Sequence, residues 1–326
     1  MPMLLQESEV ASLLRMEDLI DLMERTLAEF SSGRALQPVR IAMPLEKHGA
    51  FLGTMPAYLV DADALGVKLV TLALRNAERG MPTHLATILL FDPATGALLA
   101  IMDGRLVTEM RTAAVSAAAA RALARVGAGD LALLGSGVQA KSHLEAFRSV
   151  RPLRRVRVWS PTREHRETFA SEESARHSLP VEAVESAEAA VRDADLVVVA
   201  TSSRTPVLRG AWLAPGAHVT GIGAFRPDWR ELDGEAVRRA RVYVDSRAGA
   251  AAEAGDLIQA EREGTIGPDH VRGEVGEVFA RTLAGRGEEH EVTFFKSLGM
   301  AVEDVATAKH VFRLARERGM GRDVSV

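Results

Sequence analysis

The stretch Asp130-Leu-Ala-Leu-Leu-Gly-Ser-Gly-Val-Gln-Ala140 decides the fold of this chain. Its apolar run, Leu131 to Leu134, stops at a Gly-Ser-Gly turn. Small or apolar residues at helical spacing follow: Val138, Ala140, His143, Leu144 and Phe147. Strand, tight glycine turn and helix N-terminus, in that order, make a short glycine pattern a dinucleotide-binding fingerprint. Gly135 permits the tight turn, and Gly137 lets a pyrophosphate approach the backbone. Ala140 fills the small position where helix and strand pack closely. Unpaired amides at the helix start, over Ser136, Gly137, Val138 and Gln139, would face the phosphates. Because the fingerprint begins only at Asp130, a different domain must precede it.

Length agrees, since 326 residues suit two domains. A hydrophobic content of 47% with 26% charged residues is ordinary for a globular protein. The net charge of −4 gives no electrostatic reason to expect nucleic acid or an anionic membrane as partner. The chain has no cysteine, which excludes disulfides, thiolate nucleophiles and Cys-ligated metals and fits a reducing compartment. Its N-terminus lacks a basic leader followed by a long apolar core. No apolar run approaches the roughly 20 residues that span a bilayer. A cytoplasmic enzyme is the expectation. The basic residues are overwhelmingly arginine, with Lys47, Lys68, Lys141, Lys296 and Lys309 the only lysines.

Apolar positions at helical spacing predict one amphipathic helix from Val10 to Phe30. Residues 39–60 and 66–74 alternate like strands. Ala86 to Phe91, the turn Asp92-Pro-Ala-Thr-Gly96 and Ala97 to Met102 read as a hairpin. The N-terminal part is therefore α+β. Thr108 to Val126 is an alanine-rich helix that bridges the domains. Beyond the fingerprint, Arg155 to Trp159, Val181 to Val184, Asp195 to Ala200, His218 to Ile222 and Arg241 to Val244 read as strands. They alternate with helices or turns, which implies a mainly parallel sheet covered on both faces. A nucleotide domain begun at residue 130 is complete before the last helix, Ala301 to Arg318, so that helix returns to the first domain.

Two groups of residues could carry chemistry. After the second strand of the fingerprint unit, an NAD-preferring fold places an acid against the ribose 2′-hydroxyl. Here the sequence offers Ser160, Thr162 and Arg163 instead. Hydroxyls and a guanidinium suit a 2′-phosphate, so NADP(H) is favoured and NAD(H) stays open; Thr162 also reads as a helix cap. The second group is Arg40, Lys68 and Arg111. Lys68 sits among strand-core residues, where it either snorkels or points into a cleft. Taken singly, each reads as a surface ion pair. Together they would suit a substrate carboxylate, which arginine grips bidentately. His84, in Pro82-Thr83-His84, reads as a hydrogen-bonded structural residue. No histidine spacing suggests a metal site, and there is no nucleophile elbow.

In this order the motifs resemble the ornithine cyclodeaminase/mu-crystallin family over nearly the whole chain. The strings that carry the resemblance are Gly66-Val-Lys68, Pro82-Thr83-His84, Leu90-Phe-Asp-Pro-Ala-Thr-Gly96, Met102-Asp-Gly104, Arg111-Thr-Ala-Ala-Val-Ser116, Gly135-Ser-Gly-Val-Gln-Ala140, Val244-Asp-Ser246, Glu253-Ala-Gly-Asp256 and Phe295-Lys-Ser-Leu-Gly299. The resemblance implies an α/β protein with a Rossmann doubly wound parallel sheet over residues 119–299. Residues 1–118 and 300–326 would form an N-terminal α+β domain for substrate binding and dimerisation, joined by the C-terminal helix. A homodimer also answers the need to cover sheet faces and edges in the first domain. Residues matching Arg40, Lys68 and Arg111 would bind substrate carboxylate, with Lys68 and Arg111 catalytic and Leu298 bordering the substrate. Thr83, Gln139, Ser202 and Ser297 would contact the cofactor, as would the neighbouring His84, Arg111 and Thr201.

One departure selects among family members. Ornithine cyclodeaminases, and the archaeal alanine dehydrogenases similar to them, carry a catalytic aspartate that aligns with Phe225 in Gly223-Ala-Phe225-Arg-Pro-Asp228-Trp-Arg-Glu-Leu232. Asp228 could substitute only through a rearranged loop. The string instead looks like the mu-crystallin branch, which implies NAD(P)H-dependent reduction of cyclic ketimine carboxylates to L-proline or L-pipecolate. The alternatives are ornithine cyclodeamination, an amino-acid dehydrogenase, or a binding protein for NADPH and a small imino or amino acid.

Overall fold

The computed structural model describes residues 1–325. In chain order its first elements are β1 (Met3–Leu5), α1 (Glu7–Leu13), α2 (Met16–Ser31), β2 (Ala35–Leu36) and β3 (Ile41–Leu45). There follow β4 (Ala50–Leu59), β5 (Ala64–Ala73), β6 (His84–Phe91), β7 (Leu98–Asp103) and α3 (Arg105–Leu123). The middle of the chain forms β8 (Asp130–Leu134), α4 (Val138–Val150), β9 (Arg155–Trp159), α5 (Arg163–His177), β10 (Val181–Ala183) and α6 (Ala187–Val191). Next come β11 (Leu196–Val199), β12 (His218–Gly221), α7 (Gly234–Arg239), β13 (Ala240–Val244), α8 (Arg247–Glu253) and α9 (Gly255–Arg262). The chain closes with β14 (Val271–Glu274), α10 (Val275–Phe279), β15 (Val292–Lys296), α11 (Ala301–Arg318) and β16 (Arg322–Asp323). Two compact units result: Met1–Arg111 with Gly299–Val326, and Thr112–Leu298. The first division falls inside α3, ahead of residue 118, and the second between Leu298 and Gly299. Among the described residues no helix is long and apolar enough to cross a membrane.

The first unit is built on a mixed sheet ordered β16-β1-β7-β6-β5-β4-β2, with β3 paired to β4. α11 packs on α2 and on β4, β5 and β6, so it returns to the first unit as the sequence implies. The covered sheet face carries Met55, Ala57, Lys68, Val70, Ile88 and Leu90. The expected single helix over residues 10–30 is instead two. Leu14 takes extended backbone while its N–H still bonds Val10 O, and α2 restarts at Met16. Glu17 and Asp18 in its first turn favour a helix N-terminus there, because carboxylates complement the amide end of the dipole. α3 begins three residues before the expected Thr108, where the Asp103 side chain accepts the Leu106 amide at 3.0 Å. The short strands β1, β14 and β16 lack enough residues to show a period in sequence.

The second unit is an eight-stranded, wholly parallel sheet ordered β10-β9-β8-β11-β12-β15-β13-β14. The strand order reverses between β8 and β11, and the carboxyl ends at such a switch point are where ligands sit in open α/β folds. Its core runs through Leu134, Val199, Val219, Val242 and Phe294, all essentially inaccessible. This is the doubly wound sheet expected from the fingerprint.

Candidate active site

In the first unit, β5 carries Lys68 in mid-strand, opposite Met55 on β4 and Ile88 on β6. Its ammonium is buried and lies 2.5 Å from Asp304 Oδ2 on α11, and it donates to Thr108 Oγ1 on α3 at 3.3 Å. Arg111, also buried, donates from Nε to Asp304 Oδ1 at 3.0 Å and from Nη1 to Glu303 Oε2 at 2.5 Å. Arg40, half-buried, donates from Nη2 to Gly299 O at 3.2 Å. Thus Lys68 and Arg111 converge on one carboxylate, and Gly299 links the segment below them to Arg40. Gly299 is held there for two reasons. Its φ of +77° is left-handed, and a Cβ would lie 2.5 Å from Arg111 Nη1.

The electrostatics follow from burial and neighbours. Burial lowers the Lys68 ammonium from 10.5 to about 8; Asp304 works against that shift, while Arg111 and Arg40 add to it. Burial alone would raise the Asp304 carboxyl, but Arg111 and Lys68 together hold it below its ordinary value. His84, at the start of β6, is lowered to about 4 by burial and by the charges of Lys68 and Arg111, so it is neutral at physiological pH. Two carboxylates offset the two buried cations, and Arg40 lies near enough for its charge to act on Lys68. Thr83 is half-buried, and its carbonyl accepts the Ala73 amide.

The second unit presents the fingerprint. Gly135 has φ +114°, and a Cβ there would meet Ala200 O at 2.3 Å, so only glycine makes this turn. Gly137 is the N-cap of α4, and a Cβ there would meet nothing within 4 Å, which leaves open space over the helix amides. Val138 is exposed and Ala140 buried. Gln139 Oε1 and Ser297 Oγ are buried and unpartnered among the described residues. An orphaned Gln139 Oε1 beside an open glycine cradle, with a second orphan, Ser297 Oγ, just past the carboxyl end of β15, fits a dinucleotide, which carries both donors and acceptors.

At the end of β9 the Ser160 hydroxyl is buried between Ser136 Oγ at 2.9 Å and Thr162 O at 3.3 Å. Thr162 occupies the N-cap position of α5, but its side chain makes no cap bond. Arg163 is exposed and paired with Glu167 at 2.7 Å. Arg166, which the sequence did not single out, is buried and donates to Ser160 O at 3.0 Å. Thr201 is half-buried, Ser202 exposed, and Leu298 half-buried with its amide donated to Asp245 Oδ2 at 2.5 Å.

Phe225 packs against Trp229 with ring centroids 5.1 Å apart. Asp228 stands three residues further along the same loop. It is exposed and paired with Arg226 at 3.1 Å, and that hydrogen bond lowers its carboxyl. The loop is not rearranged toward the interior. Asp304 and Glu303 were not read from sequence, because adjacent acids in a helical first turn look like solvated capping charges. Their apolar neighbours on both sides, Ala301-Val302 and Val305-Ala306, were the available signal.

The sequence model of the ornithine cyclodeaminase/mu-crystallin family matches residues 1–319. The ketimine reductase mu-crystallin of Mus musculus is 44% identical over 315 residues, 95% of this chain and 96% of that protein. The structure of Thermococcus litoralis Δ1-pyrroline-2-carboxylate reductase with NADH and L-proline superposes with a TM-score of 0.97 at 40% identity, covering 99% of this chain and 100% of that one. An archaeal alanine dehydrogenase dimer with bound NAD superposes with a TM-score of 0.94 at 33% identity, covering 99% of each chain. The residue motifs, the fold and these similarities agree: the chain belongs to the ornithine cyclodeaminase/mu-crystallin family.

Proposed function

We propose that this protein reduces cyclic ketimine carboxylates, such as Δ1-pyrroline-2-carboxylate and Δ1-piperideine-2-carboxylate, to L-proline and L-pipecolate with NAD(P)H. Phe225 carries the choice within the family, because an aromatic ring packed on Trp229 stands where a cyclodeaminase needs its aspartate. Arg111 and Arg40 bind the substrate carboxylate, held in place by Asp304, Glu303 and the Gly299 carbonyl. Lys68 adds a buried positive charge that orients it. The chemistry supplied by a bound dihydronicotinamide is one hydride, delivered to the C=N carbon. A protonated imine already carries the proton that its nitrogen keeps, so the chain needs no strong acid. Gly135, Gly137, Gln139 and Ser297 are the groups suited to hold the dinucleotide. The test is loss of nicotinamide absorbance when a cyclic imine is mixed with enzyme and either reduced cofactor. Release of ammonia and proline from ornithine, with no added reductant, would overturn the reading.

The cofactor preference we infer is NADPH. Ser160, Thr162 and Arg163 put no carboxylate at the end of β9, and Glu167 is tied to Arg163. Ser160→Asp introduces a charge that repels a 2′-phosphate and accepts from a 2′-hydroxyl. The ratio of kcat/KM for NADPH over NADH should fall about tenfold or more, the effect of one charged hydrogen bond. An unchanged ratio means this loop does not read the ribose.

We also propose a two-fold homodimer closed over the outer face of the first sheet. α2 and α11 cover only the face that bears Lys68. The other face carries Ile41, Met43, Val67, Leu69, Leu85 and Leu89, with Ile41 69% and Met43 51% exposed. An apolar sheet face of this kind calls for a partner, and an isologous copy is the simplest one. Light scattering should give about twice the 35.1 kDa chain mass, and Leu69→Lys with Leu85→Lys should halve it. A monomeric wild type of full activity excludes this closure.

A further inference from the structure

We propose that Glu231 is a positioning residue for the nicotinamide cofactor, tying together the loops that follow β11 and β12. The inference rests on the cofactor reading given above. Glu231 is fully buried, and its carboxylate makes three close contacts. Oε1 accepts from Thr201 N at 2.7 Å and from Thr201 Oγ1 at 2.6 Å, while Oε2 accepts from Gly223 N at 2.7 Å. Thr201 lies just past the carboxyl end of β11 and Gly223 just past that of β12, where open α/β sheets receive their ligands. The two loops are packed so tightly that a Cβ on Gly223 would lie 2.2 Å from Thr201 O.

The support behind Glu231 is itself charged and buried. The amides of Glu231 and Leu232 donate to Asp256 Oδ1 on α9 at 2.7 and 2.9 Å. Asp256 Oδ2 lies 3.0 Å from Lys296 Nζ at the end of β15. The next residue, Ser297, donates its amide to Gly221 O at 3.0 Å. One cluster therefore fixes three strand-end segments: Thr201, Gly223 and Ser297. A buried ionic group is a poor device for stability, since well-packed apolar residues serve as well or better. What a carboxylate does that an apolar residue cannot is accept from two loop amides at once. Burial raises its carboxyl to about 7, with Lys296 opposing and Asp256 adding to that rise, so its charge changes near neutrality. Glutamine cannot replace it, because its amide nitrogen must face either the Thr201 or the Gly223 donor.

The experiment is titration of NADH into wild type and Glu231→Gln, followed by nicotinamide fluorescence, with steady-state kinetics alongside. The variant should bind NADH at least fivefold more weakly and turn over more slowly, with KM for the imine carboxylate unchanged. A merely destabilised fold would lower turnover without moving either constant. Wild-type NADH affinity should weaken as pH falls below about 7, and the variant's should stay flat. Thr201→Val removes one of the three contacts to Glu231, together with the bond that the Ser203 amide donates to the Thr201 hydroxyl, and should weaken NADH binding to a smaller extent; it decides the matter if Glu231→Gln does not fold. Wild-type NADH affinity in the foldable variants overturns the inference alone. A wild type that binds neither NADH nor NADPH removes the cofactor reading together with it.

Discussion

Lys68→Met should lower kcat/KM for a cyclic imine carboxylate by about a hundredfold or more, in line with removal of one preorganised electrostatic group from a dry site. Methionine keeps most of the volume between Met55 and Ile88. Asp304 retains Arg111 as its partner, so the fold should lose far less than the activity. The same argument sets a pH dependence. Lys68 is charged below about 8, so a competitive carboxylate without a titrating amine, such as pyrrole-2-carboxylate, should inhibit progressively less above that pH. Unfolding does not mimic this effect. A free lysine keeps its proton to about 10.4, so between the two values the unfolded chain binds more protons and this group makes stability rise with pH. Near-normal reduction by Lys68→Met, or inhibition unchanged from pH 7 to about 9.5, removes Lys68 from the site.

Arg111→Ala should abolish measurable reduction and destabilise the protein by about 3–5 kcal/mol, because it takes away the buried cation that Glu303 and Asp304 share and leaves Lys68 to hold Asp304. Glu303 and Asp304 are both inaccessible, and alanine also opens a cavity beside Gly299. Here too the sign with pH is informative. In the wild type, Asp304 is depressed by its cations, so its contribution is present above its unfolded value and is lost as pH falls through the folded one. Without Arg111, Asp304 keeps Lys68 but loses the larger of the two charges that oppose its burial, so its carboxyl rises from the wild-type position and acid costs the variant less. Denaturant midpoints should therefore show the gap between the two proteins narrowing from about pH 8 to about pH 5. A gap that is small, or equal at both values, would show that Arg111 is not the counter-ion of this pair.

The fold was largely written in local sequence. Gly135 needs a left-handed turn against Ala200 O, and that requirement is visible as a glycine between an apolar run and a helical pattern. α11 and β9 run over the residues that their periodicity marks. The site was legible only in part. Lys68 and Arg111 stood out as cations among apolar residues, yet nothing in their spacing says that both meet an acid near the other end of the chain. Pairing of residues 68 and 304 is a property of the sheet and of the helix laid upon it, not of either segment. Glu231 was hidden for a similar reason: beside Arg230 it reads as half of a surface pair, whereas its side chain turns inward to two backbone amides.

The placement of Lys68 in the middle of β5 also limits how this protein can evolve. Side chains alternate across a strand, so a slip of one residue exchanges the two faces. In β5 that slip would bring Leu69, now 36% exposed, against Asp304 and would push the Lys68 charge out among the apolar residues of the opposite face. The error would strand a buried carboxylate and spoil the outer surface at the same time. Insertions and deletions between residues 64 and 91 are therefore expected to survive selection only in the connection 74–83, where they change length without changing parity along the strands. Drift at Lys68 and drift in strand pairing are not independent events in this lineage. Any descendant that moves one must move the other.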